Sequence, residues 1–179
     1  MRIENYIEGK WTAGKGEGRP LHNAVNGELI GKAGTEGIDM QSALQYGRSK
    51  GGSALRKMTF YERGLMVKQL ALHLHSQRKK FYPLSYKTGA TKSDSWVDID
   101  GGIGNLFSNA SLRKKLGNKF HYVDGEPIDL SRGGDFMGQH IMVPKSGIAV
   151  HINAFNFPIW GMLEKIAVNL MAGVPAIVK

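Results

Sequence analysis

The sharpest hydrophobic pattern lies near residue 150. Gly147-Ile148-Ala149-Val150-His151-Ile152 is a compact apolar run that reads as a buried strand. A short loop follows, Asn153-Ala154-Phe155-Asn156. Pro158 suits the first turn of a helix, because its φ is already helical and its missing N–H costs nothing there. Trp160, Leu163, Ala167 and Leu170 then recur on one helical face, widened by Ile159 and Ile166. Gly173 closes the helix, and Val174 to Val178 is a second apolar run. Strand, helix and strand predict a βαβ unit with parallel strands and a right-handed crossover, so the fold class is α/β.

Upstream, Thr59 and Glu62 have the spacing of a capping box, and Met66, Leu70 and Leu74 recur every four residues with Val67 and Ala71 beside them. That stripe predicts a core-facing helix, with a short continuation bracketed by Pro83 and Gly89. A first helix is expected to start after Asp39 and to fail at Gly51-Gly52; another runs from Ser93 or Asp94 towards Leu116, weakened by Gly101, Gly102 and Gly104. The opening reads as a hairpin with its turn near Glu8-Gly9, followed by a flexible glycine-rich loop over Gly14 to Gly18. Residues 117–135 read as loop with short extended pieces, and Phe136 to Val143 as a strand.

Composition changes this picture in two ways. The chain has 179 residues, 41% hydrophobic and 22% charged, which is ordinary globular composition. Cys is 0, so no disulfide, zinc-thiolate site or cysteine nucleophile exists within these residues. Charge adds the second point. The net +9 is uneven: residues 1–90 hold 15 basic and 7 acidic residues, residues 91–179 hold 9 and 8. A basic half can meet a polyanion, but no aromatic-interleaved RNA signature or helix-turn-helix pattern accompanies it, and nucleic acid is not the expected partner. The densest runs, Arg78-Lys79-Lys80 and Arg113-Lys114-Lys115, each close a helical pattern, where the helix dipole favours cations.

The first twenty residues lack the apolar core of a secretory signal, and the longest run free of Asp, Glu, Lys and Arg, Ser146 to Leu163, is too polar and broken for a membrane span. A cytoplasmic protein without a membrane partner is expected. Several motifs dissolve on inspection. Gly9 and Gly14-Lys15 match most of a P-loop, but Gly16 stands where the hydroxyl should be. Asp98 would open a calcium loop, but Gly102 stands at its third ligand position; Asp94 and Asp98 read instead as polar residues one helical turn apart. His73 and His75 point to different faces of a helix, and the other histidines are scattered; all six read as structural or solvated, and no metal site is expected.

Ligands of open α/β sheets bind beyond the carboxyl ends of the strands. That edge holds Asn153, Ala154, Phe155 and Asn156, with Lys179 at the end of the next strand. An amide beside helix N–H groups can donate to a developing oxyanion, and a Lys there can reach a sugar hydroxyl or phosphate. Against this, an Asn just before a helix is more often its cap.

Asn156-Phe157-Pro158, Ala172-Gly173 and Val178-Lys179 resemble the coenzyme-domain entry of aldehyde dehydrogenases. Ile7-Glu8-Gly9-Lys10-Trp11, Thr59-Phe60-Tyr61-Glu62-Arg63 and Lys87-Thr88-Gly89-Ala90 are similar to earlier motifs of that family. The stretches Asp94 to Gly104 and His151 to Lys165 look like one subfamily, the bifunctional ring-opening enzymes of aerobic phenylacetate degradation. The resemblance implies an incomplete N-terminal portion of an aldehyde-dehydrogenase-like fold, with helices and the first βαβ unit of a Rossmann-like sheet. It implies an oligomerisation arm over 134–146 and the start of the coenzyme unit over 147–179. By the same resemblance, Asn156 is catalytic as an oxyanion donor. Asn153, Ala154, Phe155, Asn156 and Lys179 bind NADP or NAD. The substrate is a small-molecule aldehyde, a semialdehyde on a ring-opened CoA thioester, and the parent protein is a homo-oligomer. The nucleophilic Cys, the general-base Glu and a second glycine-rich loop fall outside this chain, so it is expected to be inactive alone. The alternative is a non-catalytic assembly or binding module that uses the basic half.

Overall fold

A computed structural model describes all 179 residues. Five short strands come first: β1 (Arg2–Ile3), β2 (Asn5–Ile7), β3 (Lys10–Thr12), β4 (Arg19–His22) and β5 (Leu29–Ala33). β2 and β3 form the expected hairpin, with Tyr6 opposite Trp11, and its turn places Glu8 and Gly9 at positive φ. β5 lies between β1, which it meets parallel, and β4, which it meets antiparallel.

Helices α1 (Met40–Tyr46) and α2 (Ser53–Arg56) follow. The chain does not break at Gly51-Gly52 as the sequence suggests; a π-helical segment, Gly47–Gly52, carries the helix through. A Cβ on Gly51 would stand 3.1 Å from Pro175 Cβ, so the glycine serves close packing there rather than termination. Helix α3 (Phe60–Gln77) begins at the expected capping box: Thr59 Oγ1 accepts from Glu62 N, and Glu62 Oε2 accepts from Thr59 N at 2.7 Å. Its buried stripe is centred on Val67 and Ala71, both fully buried, while Met66, Leu70 and Leu74 flank it half-buried.

After a 3₁₀ turn, Arg78–Lys80, come α4 (Tyr82–Tyr86) and α5 (Lys92–Trp96), then a π-helical segment, Val97–Gly101, then α6 (Gly102–Ser111) and α7 (Arg113–Leu116). The expected single helix is thus a chain of segments, and it starts earlier than Ser93, capped by Thr91 with Asp94 in a second capping box. Gly102 does not interrupt it. A Cβ there would stand 3.0 Å from Trp160 Cα, so this glycine sets how closely the last helix approaches.

Residues 117–135 contain more order than expected. Strand β6 (Tyr122–Asp129) pairs antiparallel with β7 (Met137–Met142) in a two-stranded ribbon with a bulge between Asp124 and Ile128. Both strands are largely exposed, which is why apolar and polar positions do not alternate cleanly in their sequence. Finally β8 (Ala149–His151), α8 (Pro158–Ala172) and β9 (Ala176–Val178) form the expected βαβ unit, its strands parallel with His151 opposite Val178. Gly173, at φ 80°, ends α8 in the left-handed conformation that glycine adopts without steric cost. The core is a helical layer: Val67 and Ala71 from α3, Ile99, Ile103, Leu106 and Ala110 from the second π segment and α6, and Leu163, Ala167 and Met171 from α8. No helix is long and apolar enough to cross a membrane.

Candidate functional site

The two strands of the βαβ unit end side by side, and their ends are laced together. Lys179 N donates to His151 O at 2.8 Å, and Asn153 N donates to the main-chain oxygen of Lys179 at 3.0 Å. The Asn153 side chain reinforces this join. Its Nδ2 donates to the same Lys179 oxygen at 3.2 Å, and its Oδ1 accepts from Lys165 Nζ at 2.9 Å. Lys165 Nζ also donates to Gly161 O at 2.9 Å, tying the edge to the first turns of α8. Asn153 and Lys179 are therefore brought together by backbone and side chain alike.

Beyond Asn153 the loop turns outward. Ala154, Phe155 and Asn156 are exposed, Phe155 at 78%. Asn156 does not take the capping role that its position suggests. The helix has no side-chain cap from its own N-terminal residue, and its first free N–H groups are held by a distant residue. Asp98 Oδ1 accepts from Ile159 N at 3.1 Å and from Trp160 N at 2.7 Å. An anion is favoured at that end of a helix, and a carboxylate satisfies orphan N–H groups well. The result leaves the Asn156 amide free of capping duty.

Asp98 corrects its sequence reading as a plain polar helix residue. It is 2% exposed, and its Oδ2 is buried without a partner. Burial pushes its carboxyl above the usual range, and the N–H groups of Trp160 and Ile159 pull in the opposite direction. The local signal was an Asp between apolar Val97 and Ile99 inside a helical pattern. Lys165, likewise unassigned by sequence, is the single basic residue of α8.

His151 lies at the end of β8 and is buried. Asn169 Nδ2 lies 2.6 Å from His151 Nε2, which puts the imidazole proton on Nδ1, and Nδ1 is buried without a partner. Burial, and next the positive charge of Lys165, hold the imidazole below its ordinary pKa. The sign of the pH effect follows. An unfolded chain takes up a proton near pH 6.5 while the folded chain resists it, so stability present above that pH is lost as pH falls through the folded value. Asp98, shifted upward, contributes in the opposite sense at lower pH. Urea melts between pH 7.5 and 5.5, values set by the ~6.5 reference, should show the native chain weakening more than a His151→Gln variant. Parallel pH profiles for the two would exclude His151 as the source.

The exposed Lys179 ammonium and Asn156 amide, with the exposed apolar ring of Phe155 next to Asn156 in sequence, form a donor set suited to an anionic or polyhydroxyl ligand beside a flat apolar ring system. No group of three His, Asp or Glu side chains is placed to hold a metal ion.

Residues 11–179 match the aldehyde dehydrogenase family. The chain is 40% identical over 180 residues to 3,4-dehydroadipyl-CoA semialdehyde dehydrogenase of Aromatoleum evansii, an alignment covering 100% of this chain and 35% of that protein. Among solved structures it resembles an NAD-dependent benzaldehyde dehydrogenase from Corynebacterium glutamicum, with a TM-score of 0.79 at 17% identity over 99% of this chain and 37% of the other. It also resembles an NADP-dependent glyceraldehyde-3-phosphate dehydrogenase from Bacillus halodurans C-125 complexed with NADP, with a TM-score of 0.78 at 16% identity over 99% of this chain and 37% of the other. The chain thus spans little more than a third of the length of the relatives it matches.

Proposed function

The chain belongs to the aldehyde dehydrogenase family, and from that premise we propose that it forms the coenzyme-entry portion of an NAD(P)-dependent enzyme that oxidises a semialdehyde carried on a CoA thioester. The observation that carries this reading is the free Asn156 amide, exposed beside an α8 terminus whose N–H groups Asp98 already holds. The substrate class is supported by the 40% identical relative, whose name is that of a CoA-semialdehyde dehydrogenase.

In this reading the nicotinamide coenzyme supplies the hydride acceptor. The residues of this chain do the holding. Asn156 donates a hydrogen bond to the oxygen of the aldehyde as negative charge develops on it. Phe155, with its neighbours Asn153 and Ala154, would line the nicotinamide side of the site. Lys179 holds the adenosine ribose, or a phosphate on it. The chain has 0 Cys, so the thiol that attacks the aldehyde comes from another part of the polypeptide. The exposed ribbon of β6 and β7 acts as an arm that pairs with a second subunit, covering apolar residues such as Phe136, Met137 and Val143. The residue match with the ring-opening enzymes of phenylacetate degradation supports a place in breakdown of a ring-opened aromatic acid.

The test is turnover by the full-length enzyme. Reduction of NADP or NAD is followed with a CoA-linked semialdehyde and with the same semialdehyde lacking CoA. The CoA-linked aldehyde should be preferred, and the 179-residue chain alone should give no turnover. Reduction of neither coenzyme with any aldehyde would overturn the reading.

A further inference from the structure

A second cleft lies apart from the Asn156 loop. Tyr82 and Tyr86 of α4 and Trp96 of α5 line an open cavity of about 520 Å³, with Lys92 and Ser93 completing its wall. Trp96 is 59% exposed and Tyr86 39%, so two large ring systems face solvent. The two tyrosine rings are held in place rather than loosely displayed. Tyr82 and Tyr86 meet edge to face with centroids 6.2 Å apart. Tyr82 Oη donates to Asp100 Oδ2 at 2.6 Å, and Asp100 Oδ1 is paired with Arg78 Nε at 3.2 Å. Burial, and then the bond to Asp100, push the Tyr82 hydroxyl up to about 12, so it stays a neutral donor. Ser85 Oγ donates to Ser95 Oγ at 2.9 Å in a buried contact that locks α4 to α5.

We propose that this cleft holds the adenine nucleotide end of the CoA thioester, the base stacking on Trp96 and Tyr86 and its phosphate meeting Lys92. The proposal rests on the CoA-semialdehyde reading above. Aromatic side chains with a nearby cation are the chemistry that holds a base and its phosphate, because every base has a stackable face. Lys92 supplies a cation on the cleft wall, and the Asp100 carboxylate is paired with Arg78. CoA carries its acyl group on a long flexible arm, so the nucleotide and the reacting carbonyl need separate holds of this kind.

An adenine nucleotide could also come from the coenzyme, and the test separates the two. Acetyl-CoA, its 3′-dephospho form and NADP are titrated into the 179-residue chain by calorimetry, with the Trp96 indole proton followed by NMR. Acetyl-CoA should bind and shift that proton. Trp96→Ala should weaken it about tenfold or more, the loss of one stacked base, while Trp96→Phe keeps most of the affinity. Lys92→Gln and removal of the 3′-phosphate should each weaken binding several-fold, by about the same factor. No binding of acetyl-CoA, unchanged affinity in Trp96→Ala, or NADP displacing acetyl-CoA from Trp96 would each overturn the proposal. None of these outcomes bears on aldehyde oxidation by the full-length enzyme, whose failure is read separately from turnover.

Discussion

Replacing Asp98 by Ala will lower the unfolding free energy by about 2 kcal/mol, read from the midpoint of a urea melt. The carboxylate holds Ile159 N and Trp160 N at 3.1 and 2.7 Å, and Ala leaves both donors buried or half-buried without partners. Helix-capping substitutions alone cost about 1 kcal/mol, and bonds to a charged acceptor are worth more, about 1.5–3 kcal/mol. Asp98→Asn provides the contrast. It keeps an acceptor oxygen and sheds a buried charge whose Oδ2 has no partner, so its cost should be well below that of Ala. Equal losses in the two variants would mean that volume, not capping, is what Asp98 contributes.

The largest kinetic effect is expected at Asn156. In the full-length enzyme Asn156→Ala should reduce kcat about 10²–10³-fold, the usual cost of removing one oxyanion donor. KM for the coenzyme should change little. The side chain is exposed and caps nothing, so the melting transition of Asn156→Ala should match the parent. Taken together the two variants separate holding from chemistry: Asp98→Ala loosens the helix that presents the loop, and Asn156→Ala removes the donor while leaving the helix intact. A near-normal kcat in Asn156→Ala would remove the oxyanion role and with it the main support for the proposed function.

What the sequence shows well is whatever a segment decides for itself. Thr59 and Glu62 are three residues apart, and their capping box is in place. Pro158, Gly173 and the apolar runs around them are likewise local signals, and they become the βαβ unit. The misses are long-range. Asn156 stands where a helix cap belongs, but the cap is Asp98, sixty-one residues before the Ile159 amide it holds, and no window spans that distance. Gly51, Gly101 and Gly102 read as helix breakers because their lack of a side chain weakens a lone helix. In the fold they sit where Pro175, Trp160 and the start of α8 press close, and the helical path continues through them. Strand β6 was hidden for the converse reason: with neither face buried, no alternation was written into its residues. The coenzyme assignments to Asn153, Phe155 and Lys179 came from family resemblance; the geometry adds that Asn153 and Lys179 share an edge and that Lys165 braces it.

The bond between Asp98 and the start of α8 also changes how that helix opens. The first amides of a helix ordinarily exchange freely with solvent deuterium, since nothing within the helix accepts from them. Here the amides of Ile159 and Trp160 are held by a side chain from another segment, so neither can be exposed by fraying of α8 alone unless that grip also lets go. Their exchange therefore requires release of the Asp98 carboxylate, which ties the opening of the first turn of α8 to the Val97–Gly101 segment despite their separation along the chain.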